Sequence, residues 1–472
     1  MGLIRMNILP GNTKTLSELL ADQGIHLEHQ CMGKGLCHSC EVVVDDGQTN
    51  SRVKACQFTP DYGKSHDITV NYPTSSNLQI KSAGFLSDTI SSSLCIDLGT
   101  TTIAMSFNGK TSVFTNPQRQ YGCDILSRME ASLEGNAANL KKCLLDELIL
   151  QGKRLTSEKP HSIYLCGNTT MIHLLLGYPC DSLSRFPFKP YSLRQVICEY
   201  ENIPVYILPC ASSFIGGDII SGLYYLRCTQ SLPHNYLFLD LGTNGEMVLS
   251  YNDRLVASST AAGPALEGGN LSCGIASVPG AIYSCHITGS RLVTRTIDDR
   301  APIGLCGTGA LSLLAELRRH NIVDQTGLLD EAYQATGYPI ATTPSGDKLF
   351  MTLKDIRNLQ LAIAAISAGI MTLLSHCHAS ASDIDYVYIA GGLGYQLNME
   401  DAFTLGLFPH AWKNKVMAVG NTSLGGLVCL AANNVTDPIH ELPMDMENLY
   451  LADHAVFREF FIHKMEFPDT LI

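Results

Sequence analysis

The chain has 472 residues, 45% hydrophobic and 16% charged, with a net charge of −12. That length suits roughly two to four domains with ample cores, and the composition excludes a disordered chain. The acidic balance, with no basic patch to neutralise phosphates, argues against a nucleic-acid binder and makes a neutral or basic protein surface the easier partner.

The first residues turn at Pro10-Gly11 instead of running into an apolar segment, so no secretory leader is expected. No uninterrupted apolar run of about 18 residues occurs, so no membrane span is expected either. The 17 cysteines then point to a reducing, cytoplasmic setting in which most thiols stay free and buried.

Residues 1–72 read as a small β-rich domain. Leu3 to Leu9 alternates like a strand, Thr15 caps a short helix over Leu16 to Ala21, and Glu41 to Val44 and Ile68 to Val70 read as strands. Between them lies Gln30-Cys-Met-Gly-Lys-Gly-Leu-Cys-His-Ser-Cys40. Cys31, Cys37 and Cys40, with Cys56 further on, form a set of four thiolates that suits the two irons of a 2Fe-2S cluster. The loop is one residue longer than the plant-type spacing, and Gly33 and Gly35 let the backbone wrap closely. Zinc is the main competitor, but structural zinc sites pair two short knuckles and only Cys37 with Cys40 makes one. The remaining alternative is four ordinary buried cysteines. A domain this small would draw much of its stability from the metal. Residues 73–93 are Ser-rich and uncommitted, a flexible linker by composition.

From Leu94 onward short apolar strands alternate with helical patterns, an α/β signature. Two stretches resemble each other. Leu94-Cys-Ile-Asp-Leu-Gly-Thr-Thr-Thr102 and Leu237-Phe-Leu-Asp-Leu-Gly-Thr-Asn-Gly245 each run strand, turn, strand. They are too far apart for a solenoid repeat and fit duplicated halves of one fold. A strand ending in Asp followed by Gly-Thr suits a polyphosphate: glycine lets backbone N–H groups approach, and threonine hydroxyls add donors. Either hairpin alone reads equally as an ordinary β-turn; taken as a pair, Gly99, Thr100 and Thr101, with Gly242, Thr243 and Asn244, are the expected phosphate ligands. Asp97 and Asp240 are placed to hold Mg²⁺ through water. A third stretch, Asp385 to Gly394, is an apolar strand entering a glycine turn (Gly391, Gly392, Gly394) able to carry adenosine. No Walker A loop occurs. Thr352 with Asp355 forms a capping box. It opens a helix to about Cys377, with Ile356, Leu359, Ile363, Ile366, Ile370 and Leu373 on one stripe. A second helix is expected over Leu311 to Leu317.

The order of Asp97-Leu-Gly-Thr-Thr, Asp240-Leu-Gly-Thr-Asn-Gly and Ala390-Gly-Gly-Leu-Gly resembles the acetate and sugar kinase, heat-shock chaperone and actin superfamily. The implied fold is a ribonuclease-H-like, duplicated actin-type ATPase over residues 94–472, with lobes of about 94–236 and 237–472, preceded by an α+β ferredoxin-like domain. Two connecting helices would begin near Gly217-Asp218 and Gly420-Asn421. Glu246 and Asp218 become candidates for positioning the attacking water; Glu246 reads equally as a solvent-facing strand residue, and Asp218 as a helix cap.

A narrower resemblance spans nearly the whole chain. Ferredoxin fused to this ATPase is similar to the reductive activators of corrinoid proteins. So are Asn116-Pro-Gln, Tyr121 to Arg128, Cys166-Gly-Asn-Thr-Thr-Met-Ile-His173, Phe186 to Pro190, Ala261 to Gly268 and Asp355 to Ala362. That resemblance implies ATP-dependent reduction of Co(II) to Co(I) in the corrinoid protein of a methyltransferase system, a low-potential electron donor, and a dimer. Three departures stand out: a short linker replaces an intervening domain, the last third holds only Cys377 and Cys429, and Ile363 stands where relatives carry lysine. His29, His38, His173 and His376 show no ligand spacing, and Cys306 reads as a packed thiol. Competing functions are a redox-sensing ATPase switch, a small-molecule kinase with a fused sensor, and an activator of another low-potential enzyme.

Overall fold

The computed structural model describes residues 2–23, 25, 27, 40–72, 92–122, 124–289, 291–344, 346–391, 397–435 and 444–469. Cys31, Cys37, His29, His38, Gly392, Gly394 and most of the expected linker lie outside the described residues.

The N-terminal segment forms a four-stranded sheet. In spatial order its strands are Gly2–Ile8, His66–Tyr72, Glu41–Asp45 and Asn50–Lys54, all antiparallel to their neighbours. The helix Leu16–Asp22 starts where Thr15 predicts it, with a reciprocal capping box to Glu18. Leu16 and Leu20 from that helix meet Val42, Val44, Ile68 and Val70 from the sheet in one small core, which also includes Cys40 and Cys56. Asn50–Lys54 was not expected as a strand; it is a polar edge strand and lacks the alternation that marks a buried face.

The remainder carries two six-stranded sheets built on one plan. In the first, Lys110–Thr115, Thr102–Phe107 and Leu94–Leu98 form an antiparallel meander. Ile163–Gly167 and Ile203–Ile207 then add in parallel, and Val196–Tyr200 closes the edge. In the second, Arg254–Thr260, Gly245–Tyr251 and Tyr236–Leu241 form the same meander. Tyr386–Ala390 and Val416–Gly420 add in parallel, and the short strand Glu447–Asn448 lies at the far edge. The repeated Asp-Leu-Gly-Thr turns are the equivalent first hairpins of these sheets. This is the duplicated actin-type fold.

Leu353–His376 is the longest helix, and Thr352 with Asp355 caps it as expected. Its stripe of Ile356, Leu359, Ile363, Ile366, Ile370 and Leu373 is fully inside the second lobe, each side chain contributing about 2 kcal/mol on burial. By length and composition this helix could cross a membrane, yet 78% of its apolar window is buried inside the protein. It is therefore read as a core helix. Ile363, at 1% exposure, belongs to that core. The helix expected from Leu311 in fact begins at Gly307 and runs to Arg319. Gly307 and Gly309 sit where a Cβ would stand 1.7 Å from the Leu266 carbonyl oxygen and 2.0 Å from that of Ile282. Close packing, and not helix propensity, therefore puts glycines in its first turn.

Two further helices, Gly217–Thr229 and Thr422–Ala432, lie against each other between the sheets. The Ser221 hydroxyl donates to the Ser423 carbonyl at 2.7 Å. Added Cβ atoms on Gly426 and Gly425 would stand 2.0 Å from the Ser221 carbonyl oxygen and 2.6 Å from the Tyr225 ring. Only glycine permits this approach.

Candidate functional site

In the N-terminal domain the pairing of Glu41–Asp45 with Asn50–Lys54 folds the chain back, so Cys40 and Cys56 meet. Their sulfurs are 3.2 Å apart. That is too long for a disulfide bond, and both cysteines are buried. Two adjacent sulfur donors at the foot of the cysteine loop suit a thiolate-ligated iron cluster. They are half of the expected ligand set; the other half lies outside the described residues.

The second site forms where the two Asp-Leu-Gly-Thr hairpins face one another. Thr101 and Thr243, one from each turn, bring their hydroxyl oxygens to 3.2 Å. Around them stand the four expected carboxylates. Asp97 and Asp240 end equivalent strands. Glu246 lies directly across the second hairpin from Asp240, which puts both side chains on one face of the sheet. Asp218 lies in the first turn of Gly217–Thr229, with Gly216 and not Asp218 at the capping position.

Burial and mutual repulsion hold these acids toward their neutral forms. Burial raises Asp97 to about 6. Burial, then the charge of Asp97, raises Asp218 to about 7. Burial, then Asp218, Asp97 and Glu267, raises Asp240 to about 8. Glu246 is pushed well above the usual range by burial, then by Asp218 and Asp240, and a hydrogen bond from Asn244 opposes this. Glu246 is therefore part of the carboxylate group and not a solvent-facing strand residue. Such a cluster calls for a counter-cation. Among the described residues no three His, Cys, Asp or Glu side chains make a metal site unaided. A Mg²⁺ here would complete its shell with water and phosphate oxygens, as that ion prefers.

Three asparagines, given no role from the sequence, hold the first hairpin and Asp97 by one device. Asn116 caps a 3-10 turn through Oδ1 and donates from Nδ2 to the Gly99 carbonyl at 2.9 Å. Asn168 caps Thr169–Leu176 and donates to Thr100 Oγ1 at 2.8 Å. Asn421 caps Thr422–Ala432 and donates to Asp97 Oδ2 at 2.9 Å. An amide offers both an acceptor for the helix and a donor for the hairpin; aspartate would lack the donor. Each of the three stands in a stretch noted above, beside Thr or Pro as N-caps commonly do.

Glu267 was missed as well. Its Oε2 accepts from Thr243 at 2.6 Å and lies 3.2 Å from Thr101 Oγ1, so one carboxylate joins the two hairpins. The glycine turn also reaches the site. Gly391 has φ +85, and a Cβ there would stand 2.6 Å from Asp240 Oδ1, so the strand Tyr386–Ala390 delivers this backbone against the carboxylate. Gly99 is equally constrained, 2.3 Å from the Thr102 carbonyl oxygen for an added Cβ. Across Gly242, Thr243 and Asn244 the turn closes on a hydrogen bond from Gly242 N–H to the Asn244 carbonyl. His173 is buried and bonded to Thr169 and Tyr191, His376 meets Glu447, and Cys306 is packed at 0% exposure; none of these joins the site.

Comparison with known proteins gives a consistent result along the chain. A 2Fe-2S iron-sulfur cluster binding domain matches residues 8–61, the RACo middle region matches 92–231, and the C-terminal ASKHA domain of RACo matches 234–472. The corrinoid activation enzyme RamQ of Eubacterium limosum is 26% identical over 422 residues, covering 80% of this chain and 71% of its own. The [Co(II) methylated amine-specific corrinoid protein] reductase of Methanosarcina barkeri is 26% identical over 291 residues, 56% of this chain and 52% of its own. A solved reductive activator for corrinoid, iron-sulfur protein superposes with a TM-score of 0.72 at 28% identity, over 99% of this chain and 79% of that one. With the C-terminal ASKHA domain of RACo matching residues 234–472, half of the chain, and the cluster-binding domain ahead of it, the chain belongs to the RACo family.

Proposed function

We propose that this protein reductively activates a corrinoid protein of a methyltransferase system. It would return Co(II) to Co(I) with one electron from its 2Fe-2S domain and use Mg·ATP at the facing hairpins to assist. The observation that carries the reading is the presence, on one chain, of paired cluster thiols and a two-lobed carboxylate and threonine site. Cys40 and Cys56, with Cys31 and Cys37, would hold the cluster, which when bound supplies one-electron chemistry near roughly −400 mV. Asp97 and Asp240 would hold Mg²⁺ through water, and Thr100 with the backbone of Gly99 and Gly242 would bind phosphate. Asn244 keeps Glu246 in reach of the site. Glu246 and Asp218, pushed toward their neutral forms by burial and then by neighbouring carboxylates, would orient the attacking water. Gly391, with Gly392 and Gly394, would carry adenosine.

A cobalt couple ~100 mV below the cluster leaves the transfer uphill by ~2.3 kcal/mol for one electron. Differential binding of the partner in two nucleotide states can supply that much. Lobe closure across the Thr101–Thr243 contact is the conformational change this geometry offers, and hydrolysis would release the partner. A low-potential donor would reload the cluster, and the active form would be a dimer. The free thiols among the described cysteines suit a reducing, cytoplasmic setting. The test is anaerobic: the protein is mixed with a Co(II) corrinoid protein and a low-potential reductant, and Co(I) is followed by its absorbance. Co(I) should form faster and in higher yield with Mg·ATP. Equal yield without it would refute the coupling, and no Co(I) in either case would refute the reduction itself.

A further inference from the structure

We infer that Glu267 is a positioning residue that turns the hydroxyls of Thr101 and Thr243 away from phosphate and toward the cation, so that the site selects the magnesium complex of its nucleotide over the free polyphosphate. This rests on the hairpins being a nucleotide site.

Glu267 has a fixed starting point. It ends the turn Pro264–Glu267. The next residue, Gly268, has φ +84, and an added Cβ there would stand 2.3 Å from the Ile275 carbonyl oxygen. On the other side, Gly307 presses against the Leu266 carbonyl. The backbone carrying the carboxylate is therefore gripped on both flanks.

Counting protons gives the rest. A threonine hydroxyl has one proton to donate and two lone pairs, and a carboxylate only accepts. The 2.6 Å contact of Thr243 Oγ1 with Glu267 Oε2 therefore uses the Thr243 proton. Thr101 Oγ1 lies 3.2 Å from that same oxygen and 3.2 Å from Thr243 Oγ1, so its proton is taken by one or the other. What both threonines have left for a ligand is lone pairs, which suit Mg²⁺ or its bound water and not a phosphate oxygen. Thr100 is the opposite case. It accepts from Asn168 at 2.8 Å, which leaves its own proton for phosphate. Adjacent threonines on one turn thus face opposite charges. The carboxylates of Asp97, Asp218, Asp240 and Glu267 gather at the hairpins, so a polyphosphate arriving without its cation meets repulsion that these two hydroxyls do nothing to offset.

The experiment measures ATP affinity by titration calorimetry in excess Mg²⁺ and in excess chelator, for the wild type, Glu267→Ala and Thr243→Val. Melting curves confirm that each is folded. Thr243→Val is expected to weaken Mg·ATP by ~10-fold and leave metal-free ATP unchanged, because a cation-facing acceptor is lost. Glu267→Ala is expected to free the Thr243 donor and strengthen metal-free ATP by ~10-fold, narrowing the gap between the two conditions. Thr243→Val weakening both forms alike would make Thr243 a phosphate donor and overturn the inference. So would an unchanged gap in Glu267→Ala; if that variant does not fold, Thr243→Val alone decides. A wild type that binds ATP in neither condition would instead overturn the nucleotide-site reading.

Discussion

Replacing Asp240 with asparagine should make the nucleotide-free protein more stable in alkaline solution while abolishing ATP hydrolysis. In the unfolded chain an aspartate loses its proton near pH 4, whereas in the fold Asp240 keeps it to about 8. Between those limits the native state holds the extra proton. Its stability is therefore full below the unfolded value and declines as pH rises toward about 8. Asp97, raised to about 6, and Asp218, raised to about 7, steepen the lower part of the same decline.

Each tenfold change in a protonation equilibrium is about 1.4 kcal/mol, so the ionised form of Asp240 costs the fold at most about 6 kcal/mol. The cleft is only partly closed to water and the repulsion is shared among neighbouring acids, which leaves ~2 kcal/mol for this one group. The assay is a set of melting curves from about pH 5.5 to about 8.5, with and without Mg²⁺. Wild-type stability should fall with pH, and Asp240→Asn should fall less, so that the variant leads by a few degrees at the alkaline end. Added Mg²⁺ should lift the wild type more than the variant. Parallel curves for the two proteins, or a variant that melts earlier in alkali, would refute the account of these carboxylates.

Cys56→Ser should lose iron and acid-labile sulfide on anaerobic purification, while Cys228→Ser keeps both; full iron content in the first would remove Cys56 from the ligand set. Gly426→Ala puts a Cβ 2.0 Å from a backbone oxygen that cannot step aside, and should cost about 3 kcal/mol. A wild-type melting curve would show that the two helices do not approach as described. Ile363→Lys buries an ammonium group in the second-lobe core, where Ile363 is 1% exposed, and should cost at least about 3 kcal/mol in thermal or denaturant unfolding. A normally stable variant would mean that this helix face opens to water.

The hairpins were readable from sequence because their information is local: apolar strands on either side of a Gly-Thr turn, repeated once. The long helix was readable for the same reason, since Thr352, Asp355 and the isoleucine stripe lie within one periodic window. What escaped depends on contacts that cross the chain. Glu267 acts on Thr243 and on Thr101, and the latter lies 166 residues away; nothing in Pro264 to Gly268 marks the acid that ends it. Asn168 and Asn421 give the local signature of helix caps, but the other half of each amide serves a residue of the distant first hairpin. The strand Asn50–Lys54 and the glycines opening Gly307–Arg319 show the converse. There tertiary pairing and close packing overrode what the local sequence favours.

The crossing of Gly217–Thr229 with Thr422–Ala432 also limits how the two lobes move. Helices that interlock through long side chains can shift from one set of grooves to the next, and each shift is a separate resting state. At this crossing Gly426 meets the Ser221 backbone with no side chain between them, while Gly425 lies under the Tyr225 ring and Gly222 under Thr422. With no side chain to re-engage where Gly426 meets Ser221, sliding has no second position to settle into there, and the Ser221 to Ser423 and Ser423 to Asp218 bonds tie the contact around Ser423. What remains is rotation about that point, a ball-joint motion. Its travel is smallest beside Asp97 and Asp218, close to the crossing, and grows toward the outer edges of both sheets, so a slight turn at the hairpins becomes a large displacement at the rim.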